Sequence, residues 1–212
     1  MIDIFLKCLF LLLSYLIGAI PFGYLLGKIK GIDIREHGSK NIGATNTGRV
    51  LGRKYAIIAF LCDLLKGALF TFLFRFNILP STYLFLSPAI YGLLAILGHT
   101  FSVFLKFKGG KAVASSCGMI LGYCPLLLII VIVTFLLTLH FKKMVSLASL
   151  ISSLVATIST LILFFLKINS FYLDIDIYFL ISIIIATVII FIRHKQNIIR
   201  IINKEESKVT WI

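Results

Sequence analysis

The chain has 212 residues, of which 60% are hydrophobic and only 14% charged, and it carries a formal net charge of +13. With a mean hydropathy of +1.08 it lies far outside the range of soluble domains. That balance excludes a nucleic-acid-binding globule in spite of the basic excess, and it implies an all-α integral membrane protein whose surroundings are membrane lipids.

Apolar runs of about 18 to 25 residues are long enough to cross a ~30 Å hydrocarbon core as helices. The first covers residues 4–27. It is too long for a signal-peptide core and has no small-x-small cleavage site, so it is read as retained. The loop of residues 28–54 follows, and it contains GSKNIGATN at 38–46. Its glycines permit tight turns, and its Ser, Asn and Thr side chains add short hydrogen-bonding arms. Successive backbone amides in such a turn form a nest for an anion, although Gly and Asn also make ordinary turns.

The second span, 55–74, holds Asp63 and Lys66 three residues apart, so a helix makes them neighbours. An unpaired charge at mid-bilayer costs about 2.5 to 3.5 kcal/mol, which favours mutual pairing inside the bundle, with snorkelling of Lys66 as the alternative. The third span, 83–105, leads into GHTFSVFLKFKGGKAVAS at 98–115. There Gly109 and Gly110 let backbone approach a ligand, Lys111 supplies charge, and the next helix offers amides at its N-terminus. Phosphate is the natural occupant, although a loop with a snorkelling lysine would read the same way. The spacing is not that of a Walker P-loop.

Residues 112–139 are apolar but interrupted by GYCP at 122–125, and spans at 144–166 and 177–192 follow. The last run ends in IRHKQNIIRIINKEES, 192–207, where helical spacing puts Arg193, Asn197 and Arg200 near one face. Cys8, Cys62, Cys117 and Cys124 have no metal-ligand spacing and read as packing residues. No metal site, cofactor motif or internal repeat is found. The sequence sets no oligomeric state and is compatible with a monomer.

Most of the 21 basic residues fall in 28–54, in 106–111, near 142–143 and in 193–212. By the positive-inside tendency these segments are cytoplasmic and the amino terminus is outside. For both later polar motifs to face the same side, an even number of crossings must separate them. The stretch 112–139 is therefore read as two short helices, about 112–121 and 125–139, entering the membrane and returning. The expected architecture is a bundle of about seven transmembrane helices forming a single domain over 1–212, with Ser146 on the side of the polar motifs.

SKNIGATNTGR (39–49), GHTFSVFLKFKGGKAVA (98–114) and RHKQNIIRI with the trailing Glu206, together with SYLIGAIPFGYLLGK (14–28) and DLLKG (63–67), resemble the PlsY family. Members of that family are bacterial membrane enzymes that transfer a fatty acyl group from acyl phosphate to sn-glycerol 3-phosphate. The resemblance spans essentially the whole chain. The chain departs from the family pattern at Lys40 and Ala112, where glycine is usual, and at Ser102, where proline is usual.

The resemblance implies lysophosphatidate and inorganic phosphate as products, the first acylation of phospholipid biosynthesis, and a site facing the cytoplasm of the bacterial inner membrane. Acyl phosphate is already an activated mixed anhydride, so the task is to position two anions and stabilise shifting charge. No Ser-His-Asp set, carboxylate pair or HxxxxD arrangement is present. Donor phosphate is expected against Ser39, the turn of Gly43, Ala44, Thr45 and Asn46, and Lys111, with Asn41, Gly109 and Gly110 lining it. Arg49, His194 and Asn197 are expected to hold glycerol 3-phosphate, with Ser146 and Arg200 as further contacts. His194 is read as an anchor, with general base as its rival role. His99 is counted with the substrate-binding group and expected to pack or bond at the end of the third span. Asp63, Lys66 and Glu206 are expected as supports. A transporter of an anionic phosphometabolite, or a noncatalytic scaffold, would share the charge asymmetry.

The topology is open to test by cysteine labelling. Lys143→Cys is expected to react with impermeant reagents only from the cytoplasmic face, and Asn169→Cys only from outside. Labelling of position 143 from outside would defeat the paired short helices.

Overall fold

The computed structural model describes residues 2–167 and 173–209, among which there is no strand. Asn169 lies outside the described residues. The chain divides into two compact units, Met1–Tyr123 and Cys124–Ile212.

The first unit begins with α1 (Ile2–Ala19) and α2 (Phe22–Ile29), which are bent by 46°. The expected continuous span 4–27 is thus broken. Pro21 is the cause, since it has no N–H for the helical ladder and its ring clashes with the preceding turn. A loop leads to α3 (Ala44–Leu51), which is followed after Gly52 by α4 (Arg53–Arg75). A turn of 3-10 helix at Ser81–Tyr83 precedes α5 (Pro88–Thr100), capped by the Ser87 hydroxyl accepting from the Ala89 amide at 3.2 Å, with proline at the first helical position. A second 3-10 turn, Val103–Leu105, then leads to α6 (Val113–Tyr123).

A broken helix in hydrocarbon leaves carbonyls that water cannot reach, and each must find a donor. Ser102 Oγ donates to the Ala19 carbonyl at 2.6 Å, and the Lys66 ammonium donates to the Ile20 carbonyl at 2.7 Å. Ser102 is fully buried, with φ −65°. That φ is the value proline would adopt, and the serine at this position adds a hydroxyl used at the break. Packing elsewhere is close. A Cβ on Gly67 would strike the Ser115 carbonyl, and one on Gly118 the Leu64 carbonyl, so α4 and α6 cross with backbones nearly touching. Phe10, Phe70, Phe74 and Tyr91 fill the space among α1, α4 and α5.

The second unit contains α7 (Pro125–Lys142), α8 (Val145–Leu166), α9 (Ile177–Arg193) and α10 (Lys195–Ile202). The break expected at GYCP is present at Cys124. The 11-residue α6 is short as expected, but α7 runs past 139 to 18 residues and is long enough to cross a membrane. Asp176 caps α9 by accepting from the Phe179 amide at 2.7 Å. Hydroxyls link α8 and α9, with Thr157 and Thr187 2.8 Å apart and Thr187 donating to the Ser153 carbonyl at 3.2 Å. α9 and α10 meet at a 60° bend. The single helical face expected for Arg193, Asn197 and Arg200 is therefore interrupted at His194.

Among the described residues four helical stretches are long and apolar enough to cross a membrane, or six when each bent pair counts as one. With α6 these are the seven apolar elements expected from the sequence. Large side chains along them, such as Leu136 and Phe165, are exposed and suit contact with lipid. The four cysteines are free.

Ser102→Ala removes the donor to Ala19 and leaves a buried carbonyl unpaired. The expected loss is about 0.5 to 2 kcal/mol of stability, read as a lower thermal midpoint of the detergent-purified protein. An unchanged midpoint would mean that the break does not depend on this bond.

Candidate active site

In the first unit the loop before α3 is organised by Asn46, which is 1% exposed. Its Oδ1 accepts from the Ser39 amide at 2.7 Å, and its Nδ2 donates to the carbonyls of Ile34 (2.9 Å), Asn41 (2.8 Å) and His37 (3.2 Å). One side chain thereby fixes four points of the turn. Gly38 has φ +58° and lies so close to Asn46 Oδ1 that a Cβ would collide with it. Asn41 Oδ1 accepts from the Gly43 amide at 2.8 Å, an Asx turn that sets the entry to α3. Asn41 and Asn46, expected among the substrate contacts, are both engaged as braces.

What the braces leave outward is specific. Gly43 caps α3 without any side-chain hydrogen bond, and none of the turn's hydrogen bonds uses the Ala44 or Thr45 amides. Ser39 is exposed beside them, and Arg49 is exposed on α3. Uncapped amides at a helix N-terminus form an anion site. Asp33 is paired to Arg35 at 2.6 Å, and the hydrogen bond from that guanidinium holds its carboxyl down at about 2.

The Gly109–Lys111 turn belongs to the same unit. Gly110 donates to the His99 carbonyl at 2.9 Å and Gly109 to the Thr100 carbonyl at 3.0 Å. Leu105, which precedes this turn, packs with Ile34 and Ile42 of the other loop. One small apolar cluster thus anchors both expected phosphate loops. Beneath lie Asp63 and Lys66, both buried, with Lys66 Nζ 2.7 Å from Asp63 Oδ1. The charges pair inside the unit, and Lys66 does not snorkel.

The two departures from glycine fall at left-handed backbone. Lys40 has φ +56° and Ala112 has φ +68°. Glycine adopts this region without the cost of roughly 1 to 2 kcal/mol borne by other residues. Ala112 is fully buried, so its methyl is accommodated within the unit.

In the second unit the centre is Glu206. Ser146 Oγ and Asn197 Nδ2 each donate to its Oε1 at 2.7 Å, and Arg200 Nε donates to its Oε2 at 2.8 Å. Burial pushes this carboxyl up, but the hydrogen bonds from Arg200, Ser146 and Asn197 outweigh it and hold it below its ordinary value. The tail is held as well, with the Val209 amide donating to the Lys143 carbonyl at 2.7 Å. Sequence reasoning placed Ser146, Asn197 and Arg200 on substrate and Glu206 among the supports. The structure makes Glu206 the hub on which all three converge, which the spacing of separate helices does not reveal.

His194 is 3% exposed, and its Nδ1 lies 2.8 Å from the Ile190 carbonyl. A carbonyl only accepts, so Nδ1 carries a proton, and in the neutral ring Nε2 holds the lone pair. Among the described residues no group of His, Cys, Asp and Glu side chains could hold a metal ion.

The fold and these loops define a helical integral membrane protein with amide-rich and basic polar segments suited to anions. A family model for glycerol-3-phosphate acyltransferase matches residues 8–204. A glycerol-3-phosphate acyltransferase of Bacillus subtilis (strain 168) is 44% identical over 96% of this chain and 98% of its own length. One from Lactococcus lactis subsp. lactis (strain IL1403) is 46% identical over 96% and 93%. Crystal structures of PlsY, an integral membrane glycerol 3-phosphate acyltransferase, superpose with TM-scores of 0.81 for the glycerol 3-phosphate form and 0.78 for the lysophosphatidic acid form. They share 32% and 31% identity with this chain, each over 96% of it, and 96% and 95% of their own chains are covered. The chain belongs to the glycerol-3-phosphate acyltransferase family of integral membrane proteins, the PlsY family.

The Glu206 cluster predicts a pH dependence. A carboxyl held below its ordinary value of 4.5 contributes stability above that pH and loses it as pH falls through the lower folded value. Glu206→Gln is expected to lower the thermal midpoint at pH 7, with the gap from wild type closing as pH falls below 4.5. A gap independent of pH would contradict the ionised hub.

Proposed function

We propose that this chain transfers a fatty acyl group from acyl phosphate to the 1-hydroxyl of sn-glycerol 3-phosphate, releasing 1-acyl-glycerol 3-phosphate and inorganic phosphate. The whole of residues 1–212 serves as one transmembrane acyltransferase domain. Family membership over nearly the full chain supports the acylation of glycerol 3-phosphate. The observation that carries the site reading is the folded loop 38–46, whose bracing hydrogen bonds leave the Ala44 and Thr45 amides unused and Ser39 exposed at the start of α3.

In this reading the donor phosphate rests on Ser39, those amides and Lys111, with Gly109 and Gly110 lining it. Arg49 takes the phosphate of glycerol 3-phosphate, while His194 and Asn197 orient the glycerol part. Glu206 holds Asn197, Arg200 and Ser146 in place. The glycerol hydroxyl oxygen attacks the acyl carbonyl, the bond from that carbon to the phosphate oxygen breaks, and the departing phosphate takes the hydroxyl proton. No protein base and no acyl-enzyme are needed. His194 acts as an anchor, its ring oriented by the bond from Nδ1 to the Ile190 carbonyl. The basic segments 28–54, 106–111 and 193–212 face the cytoplasm and the amino terminus lies outside, as their charge favours.

The test is a purified-protein assay with acyl phosphate and glycerol 3-phosphate, followed by detection of lysophosphatidate and phosphate. Failure of folded protein to form product would favour transport. Lys111→Ala is expected to lower turnover by at least about a hundredfold with the protein still inserted, a size typical of losing a charge-stabilising donor. Arg49→Lys should raise the KM for glycerol 3-phosphate about tenfold, because an ammonium cannot reproduce a bidentate phosphate contact. Near-normal kinetics in either variant removes that residue from the site. Chelators are expected to leave the rate unchanged, and no labelled acyl group should be trapped on Ser39 or elsewhere on the protein. A trapped acyl-enzyme would overturn direct transfer.

A further inference from the structure

His99 lies in the last turn of α5 and is 4% exposed. On one side its Nδ1 lies 3.5 Å from Oδ1 of Asp63, the same oxygen that Lys66 approaches to 2.7 Å. On the other side the Nε2 edge of its ring abuts Gly110, where a Cβ would collide with Nε2. The main chain repeats the attachment, because the Gly110 and Gly109 amides donate to the carbonyls of His99 and Thr100 at 2.9 and 3.0 Å. Gly109 has no room for a Cβ against the His99 carbonyl. The ring therefore fills the gap between a buried ion pair and the turn that carries Lys111.

We propose that His99 is a positioning residue and makes no substrate contact: through the Asp63–Lys66 pair on one side and Gly110 on the other, it sets where Lys111 stands. The pair is itself fixed, since Lys66 also donates to the Ile20 carbonyl at the break of the first span at 2.7 Å. At 3.5 Å the contact with Asp63 orients the ring electrostatically, as a tight hydrogen bond would be shorter. Such an orienting contact gains strength where water is absent. The proposal rests on the reading of Lys111 as a phosphate ligand.

The test is a double-mutant cycle on binding in the full-length, detergent-purified protein. The probe is dodecyl phosphate, which carries a phosphate and a chain but no acyl group to transfer. His99→Phe keeps a ring against Gly110 and removes the nitrogen facing Asp63, whereas His99→Asn keeps a nitrogen near the Nδ1 position. His99→Phe is expected to weaken binding about tenfold, His99→Asn less than about threefold, and His99→Phe to cost nothing further in Lys111→Ala protein, since residues acting through one contact are not additive. Wild-type binding by folded His99→Phe, or losses that add to those of Lys111→Ala, would overturn the proposal, as would unchanged binding by Lys111→Ala itself. If His99→Phe does not fold, the cycle is run with His99→Leu, which also removes the nitrogen facing Asp63 and leaves the Asp63–Lys66 pair intact, and the same criteria apply. Since the readout is binding, loss of the acyl phosphate reading is recognised separately, as wild-type protein that binds the probe but makes no product.

Discussion

The structure of the first unit depends on one constraint: the backbone of a span broken inside hydrocarbon must be satisfied from within the protein. Pro21 ends α1 early, and the two carbonyls before it are taken by Ser102 and Lys66. Lys66 is available for that duty because Asp63 lies 2.7 Å away and balances its charge. Truncating either partner would leave an isolated buried charge, which costs far more than the pair contributes by itself. The same carboxylate faces His99, against which the glycine turn before Lys111 is packed. A break in one helix is thus tied to the loop that carries an expected phosphate ligand.

The break also has a use. It lets α2 turn away from α1 and lie under the loop of residues 31–43, so closely that a Cβ on Gly23 would strike the Ile42 carbonyl and approach Thr47 Oγ1 to 2.7 Å. Ile34, Ile42 and Leu105 then close over the far side. Held from below and beside, the loop presents amides outward while Asn46 consumes its inward-facing polar groups. Preorganised donors of this kind stabilise developing charge because they need no rearrangement during reaction. Glu206 plays a comparable part in the second unit, fixing Asn197, Arg200 and Ser146 through one carboxylate.

The chain's three departures from the family pattern have a common structural account. Lys40 and Ala112 occupy left-handed backbone, where glycine is the easier residue, and Ser102 occupies φ −65°, where proline is. Only Ser102 gains a visible hydrogen bond in return.

The sequence by itself determined the class and the apolar elements, because hydrophobic run length is a local property, and a spacing of three made Asp63 and Lys66 neighbours, whereas the structure decided that they pair and that Lys66 does not snorkel. It also located the break at GYCP, where glycine and proline punctuate an apolar run. The break at Pro21 carried the same signal, yet the surrounding apolar residues read as one continuous span. The eight-residue helix α3 was not legible, since a helix so short is marginal alone and exists through tertiary packing, and at α10 the helical spacing was read but the 60° bend before it was not. Only the tertiary structure decided which polar side chains point outward and which are braces. Asn46 became a brace because a turn delivers the carbonyls of Ile34, His37 and Asn41 to it, and His99 was enclosed because α4, α5 and the glycine turn converge there. A residue's type states what it can bond, but burial and the partners brought from distant segments decide which of those bonds remain for a substrate.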